Sequence, residues 1–128
     1  MAARFHERED ESIVVVFDFG GGTLDISLLI VNTGVINVES TAGDMFCGGR
    51  DLDDLLAKEC IKIFCEQTGI NVDSIITKEN GKFIKLVLEC EKAKIELNSE
   101  QEVYQFQVQV PQFHANYDLD ISVTQQMF

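Results

Sequence analysis

The sequence predicts an α+β chain, on three observations. Residues 12–40 hold three apolar or alternating runs separated by glycine-bearing turns. Two stretches in the middle, 50–67 and 78–98, repeat apolar residues near a 3.6 period. The last part alternates apolar and polar residues in two short runs around one turn. The order is three strands, helix, helix, two strands.

Each element has its own warrant. Met1–Glu11 is polar and carries Arg4, Glu7, Arg8, Glu9 and Asp10, which reads as a flexible leader. Ser12–Phe19 is continuously apolar, the pattern of a central strand covered on both faces. Leu24–Val31 is its partner, and Asn32-Thr33-Gly34 is a tight turn in which Gly34 takes positive φ. Val35–Ser40 alternates and closes an antiparallel meander, and Thr41–Gly49 is a loop. Arg50–Gln67 places Leu52, Leu55, Leu56, Ile63 and Phe64 on one helical side, with Gly69 as its stop. Ile70–Thr77 is a connector. Lys78–Asn98 is a second helix with Phe83, Leu86, Val87, Cys90, Lys94 and Leu97 along one side. Gln101–Gln109, ended by Pro111, and Tyr117–Thr124 form a hairpin turned by His114-Ala115-Asn116.

The chemistry concentrates in Phe17-Asp18-Phe19-Gly20-Gly21-Gly22-Thr23-Leu24-Asp25. Glycines let a ligand approach the backbone closely. Successive N–H groups in such a turn make a concave anion site, to which the Thr23 hydroxyl adds a donor. Asp18 and Asp25 flank the turn, and carboxylates beside a phosphate call for a metal ion or its waters between them. By themselves Gly20–Gly22 serve a plain hairpin as readily. Gly48-Gly49 stands before a helix, whose first N–H groups and positive dipole end make a second anion site. Taken alone, that pair reads more readily as an easy entry into the helix. Glu91 and Lys94, by composition alone, belong to a solvated helix face.

Composition limits the functions. The chain has 128 residues, a net charge of −12 and 45% hydrophobic residues. Such a negative surface repels nucleic acid and anionic membrane. No run reaches transmembrane length. The four cysteines form no Cys-x-x-Cys pair and lie far from the two histidines, so a zinc site is not expected. The expectation is reduced thiols in a cytoplasmic setting.

The motifs in order extend the reading. Asp-Phe-Gly-Gly-Gly-Thr-Leu-Asp at 18–25, Ser40-Thr41-Ala42-Gly43-Asp44, Gly48-Gly49-Arg50-Asp51-Leu52-Asp53 and Glu91-Lys92-Ala93-Lys94 together resemble the heat-shock 70-kDa chaperone family (DnaK-like). The resemblance is to part of the second lobe of that family's actin-like ATPase domain. It implies that residues 12–66 are part of a ribonuclease-H-like subdomain carrying a phosphate-binding hairpin. Residues 67–128 would then be an inserted helix-plus-hairpin subdomain.

It further implies ATP or ADP with Mg²⁺ as cofactors. Gly20, Gly21, Gly22, Thr23, Gly48 and Gly49 would face phosphate. Asp18 would act near the metal through water, and Asp25 in the water or metal network. Glu91, Lys94 and Asn98 would meet adenosine. Partners implied for a full-length protein are unfolded polypeptide and co-chaperones such as a nucleotide-exchange factor.

Three residues depart from the family pattern. Ile95 stands where the family has an arginine stacked over adenine. Asn98 stands for a serine. Arg50 stands for an acid; it could attract phosphate or pair with Asp53 or Asp54. The first lobe, with its phosphate loop and catalytic lysine, has no counterpart here, so the chain alone is expected to be inactive. A truncated non-enzymatic paralogue serving as an interaction module for co-chaperones is the alternative. A sugar-kinase or actin relative shares the superfold but not the Glu91–Lys94 helix. With Ser12–Phe19 paired on one side only, self-association through its other edge is expected, with Met1–Glu11 as the one candidate cap.

Overall fold

In a computed structural model the chain is described over residues 2–8, 11–71, 81–99 and 101–128, with only the backbone given for 2–8. The expected positions 78–80 of the second helix and 72–77 of the connector lie outside the described residues. The chain divides into two compact units, Met1–Asp51 and Leu52–Phe128. The architecture is α+β, with the meander, helix, and helix-plus-hairpin in the expected order.

The first unit is an antiparallel sheet in the order β1-β2-β3-β4. Its strands are β1 (Ala2–Arg8), β2 (Glu11–Phe19), β3 (Leu24–Asn32) and β4 (Val35–Asp44). The leader is therefore not a flexible tail in this structure: Ala2 pairs with Val16 and Arg8 with Glu11. A short charged strand is a common device for closing a sheet edge, and polar composition alone hides it. β3 and β4 turn through Thr33 (φ 39°) and Gly34 (φ 84°), two left-handed residues that suit a two-residue hairpin. β4 continues past Ser40 to Asp44 because Thr41, Ala42 and Gly43 pair with Ser27, Ile26 and Asp25. The expected long loop thereby shrinks to Met45–Gly48. Gly43 is needed in this stretch, since a Cβ there would meet the Leu24 carbonyl oxygen at 2.7 Å.

The sheet is not covered on both faces. Among the described residues of this unit Gly48 alone is buried. Phe17 and Phe19 stack at 6.4 Å yet stay 44% and 45% exposed.

The second unit holds the core. Helix α1 (Gly49–Thr68) starts in the first unit and runs on into the second, where α2 (Gly81–Leu97), β5 (Gln105–His114) and β6 (Tyr117–Thr124) follow. The buried side of α1 is Leu56, Ala57, Cys60, Ile61, Phe64 and Cys65, while Leu52 and Leu55 face solvent. Gly69 ends α1 at φ 72°, its N–H donating to the Cys65 carbonyl at 2.8 Å. On α2, Phe83, Leu86, Cys90, Ala93 and Leu97 turn inward against Val108, Val110, Leu119, Ile121 and Val123 of the hairpin. Phe64 and Phe113 meet edge to face at 5.3 Å, an arrangement their ring quadrupoles favour. β5 runs through Pro111 to His114 instead of stopping, with the register broken between Val110 and His114. Proline is tolerated there because an irregular pair needs no N–H from it.

Candidate functional site

The glycine turn is held from behind. The Gly20 N–H closes it on the Thr23 carbonyl at 2.9 Å. The N–H groups of Gly49 and Arg50, at the start of α1, donate to the carbonyls of Gly20 (3.0 Å) and Gly21 (2.8 Å). Gly48 lies so close beneath that a Cβ would fall 2.6 Å from the backbone of Gly22. Its own N–H is taken by the Asp51 carboxylate at 2.8 Å, and the Asp51 N–H returns to the Gly48 carbonyl at 3.1 Å.

This changes the role of Gly48-Gly49. Helix N–H groups that would have faced an anion are spent on the turn's carbonyls and on a capping carboxylate. The pair positions the turn instead of offering its own donors. On the turn itself, the N–H groups of Gly21 and Gly22 meet no acceptor among the described residues, and a Cβ on either would meet nothing within 4 Å. These donors are the ones open to a ligand.

The carboxylates are set by sheet register. Asp18 and Asp25 are direct cross-strand partners on β2 and β3, so both project from the same face. The Thr23 hydroxyl donates to Asp25 Oδ2 at 3.2 Å, and both side chains are exposed. Like charges directly opposite repel, and a cation between them removes the repulsion. The set offers only hard oxygen ligands, which suit Mg²⁺ held partly through water. No group of three or more metal-binding side chains occurs among the described residues, so most of such an ion's shell would be water or phosphate.

Glu91 and Lys94 lie three residues apart on α2, in the second unit, and Asn98 follows directly after the last residue of that helix. Lys94 is not an open cation. Its Nζ donates to Asp53 Oδ2 at 2.8 Å and sits 2.7 Å from Oδ1, an atom it contacts by charge without a hydrogen bond. Asn98 Nδ2 donates to the Lys94 carbonyl at 2.8 Å. Glu91 is exposed and, with Ile95 (59% exposed), lines a groove of about 450 Å³. Leu88, Lys92, Gln109 and Pro111 complete most of its wall. Asp53, 2% exposed, is the residue that sequence reasoning missed. It lies one helical turn before Leu56 and Ala57 on the core side, a spacing that marks it as inward-facing.

An open glycine turn braced by a helix start, beside paired carboxylates, offers N–H groups to an anion and oxygen ligands to a hard cation. The family model described as Hsp70 protein matches residues 1–128, and the chain belongs to that heat-shock chaperone family.

Proposed function

We propose that this chain is part of the nucleotide-binding ATPase domain of an Hsp70-type chaperone and contributes phosphate contacts for ATP or ADP with Mg²⁺. The observation that carries this reading is the glycine turn, with the Gly21 and Gly22 N–H groups open and the turn braced by Gly48, Gly49 and Arg50. Thr23 adds a hydroxyl. Asp18 holds the metal's waters, and Asp25 orders the same network. Gly20 shapes the turn. Phosphoryl transfer depends on positioning and charge stabilisation around the phosphates. One turn and two carboxylates fall short of a full cage, so the chain by itself binds nucleotide weakly and does not turn it over. In the full protein, nucleotide state governs the binding of unfolded polypeptide, and an exchange factor is a partner. The four free thiols suit a reducing compartment such as the cytoplasm.

The test is Mg²⁺-dependent thermal stability. Asp25→Asn removes a like-charge pair, so it raises stability in EDTA by at most about 1 kcal/mol. Mg²⁺ with ATP raises the wild-type melting temperature and leaves the variant's nearly unchanged. Equal Mg²⁺ responses in both proteins would overturn the metal assignment. Steady ATP hydrolysis abolished by Asp18→Asn would overturn the inactive reading.

A second reading, an interaction module for co-chaperones, is favoured by one observation in the second unit. Lys94 is committed to Asp53, and Ile95 offers adenine no stacked cation. The weaker the adenosine contact at Glu91, Lys94 and Asn98, the more that unit serves as protein surface. Ile95→Arg separates the readings, because it strengthens ATP binding only if adenine docks beside α2.

A further inference from the structure

Helix α2 is apolar on two opposite sides. Phe83, Leu86, Cys90, Ala93 and Leu97 form the side that the core buries. The second side is Ile84, Leu88, Glu91 and Ile95, whose spacing of 4, 3 and 4 residues sets them in one stripe. At 3.6 residues per turn that stripe lies about 150° round the helix from the buried one. Ile84 is 53% exposed, Leu88 51% and Ile95 59%, where a surface helix ordinarily carries polar residues. Leu88, Glu91 and Ile95, with Gln109 and Pro111 of β5, line the groove of about 450 Å³.

The two edges of the stripe differ in charge. Lys85 and Lys92, both exposed, stand along one edge and also line the groove. Lys92 is paired with Glu89, yet its side chain is 62% exposed, and an ammonium has three donors, enough for a second carboxylate. On the other edge Val87 is half-buried and Lys94 is committed to Asp53. Alternating spacings of 4 and 3 make the seam along which one helix packs on another, with flanking charges choosing the partner. A second copy of this chain fits badly. Antiparallel packing of two such stripes sets the Lys85–Lys92 edge of each copy against that of the other, and parallel packing sets Glu91 against Glu91.

We propose that the outward stripe of α2 is a docking groove for an amphipathic helix of another protein. That helix is apolar along its seam, acidic along the edge that meets Lys85 and Lys92, and carries one basic residue opposite Glu91. The proposal rests on the second reading above, in which this unit serves as protein surface. The seam supplies affinity, because Leu88 and Ile95 lose the water they face. The lysine edge fixes the direction of the bound helix and selects against basic ones.

The test uses the 128-residue chain and two fluorescein-labelled helical peptides of about five turns, or about 18 residues. Both have leucine along the seam and one lysine at its middle; one is flanked by glutamate, the other by lysine. Fluorescence anisotropy is expected to show the glutamate peptide binding about fivefold tighter, the worth of two exposed ion pairs. The net charge of −12 favours the lysine peptide everywhere else on the surface, so this preference reports a local basic edge. Lys85→Glu with Lys92→Glu is expected to reverse it. Leu88→Ser is expected to weaken binding about tenfold, as the loss of a central anchor does. Its urea midpoint should stay unchanged, since the site is exposed. Binding of neither peptide, preference for the lysine peptide, or indifference to Leu88→Ser would overturn the proposal alone. So would sedimentation showing a dimer that Leu88→Ser dissolves, because the occupant would then be a second copy. ATP that displaces the glutamate peptide would return the groove to nucleotide, overturning the second reading together with the proposal.

Discussion

Gly48 makes the sharpest demand of any single residue. An added Cβ would sit 2.6 Å from Gly22 N and C and 2.7 Å from Gly21 C, all of them backbone atoms that cannot swing aside. Gly48→Ala is expected to lower stability by about 1–3 kcal/mol, the usual cost of overpacking, and to weaken phosphate binding by prising the turn from its brace. Gly21→Ala is the control: its Cβ would meet nothing within 4 Å, so it spares stability while crowding the ligand. Urea unfolding alongside ATP titration distinguishes the two. Lys94 supplies the second residue-scale prediction. It is the partner of a carboxylate that is 3% exposed, while its own side chain is 21% exposed. Lys94→Met leaves Asp53 charged and alone in the core, at a cost of about 3 kcal/mol. Adding Asp53→Leu recovers most of that loss, because both ends of the pair are then apolar. If the double variant is no more stable than the single, the ion pair is not what makes Lys94 matter.

Among the elements, β1 departs furthest from expectation. Its residues carry no apolar alternation, and the strand exists because β2 presents a row of backbone groups that need partners. Edge pairing of this kind is a tertiary effect, invisible to a pattern read within one segment. The same holds for the far end of β4, where Thr41–Asp44 is extended only because β3 continues beside it. By contrast, β3, β6 and the end of α1 at Gly69 were legible, since alternation and a left-handed glycine are local signals. The site divides in the same way. Asp18, Gly20–Gly22, Thr23 and Asp25 come together because they are contiguous across one hairpin. The brace from Gly49 and Arg50 and the capture of Lys94 by Asp53 depend on contacts far apart in sequence. Removal of residues 2–8 exposes the edge of β2 along Ser12–Val16. Sedimentation velocity is expected to show concentration-dependent association of the shortened chain beyond that of the intact one.

Over the whole molecule, apolar burial is lopsided. Every buried hydrophobic side chain among the described residues lies between Leu56 and Val123. Phe17, Phe19, Val35, Ile36, Val38, Met45 and Phe46 in the first unit are exposed. Amide protection follows buried apolar contact as well as hydrogen bonding. The slowest-exchanging amides are therefore expected in α1 beyond Leu56, α2, β5 and β6, with β2 and β3 opening sooner despite their full ladder. Hydrogen exchange read by mass spectrometry tests this, and equal protection of both units would contradict it.

The brace behind the glycine turn also supplies a signal. Amides in the first turn of a helix ordinarily lack backbone partners, yet those of Gly49 and Arg50 are tied to the carbonyls of Gly20 and Gly21. Their resonances thus register the state of a loop to which they do not belong. A ligand that merely crowds the Gly21–Gly22 face leaves the two resonances in place. One that reshapes the turn shifts both together, so occupancy and rearrangement can be told apart without a label on the loop.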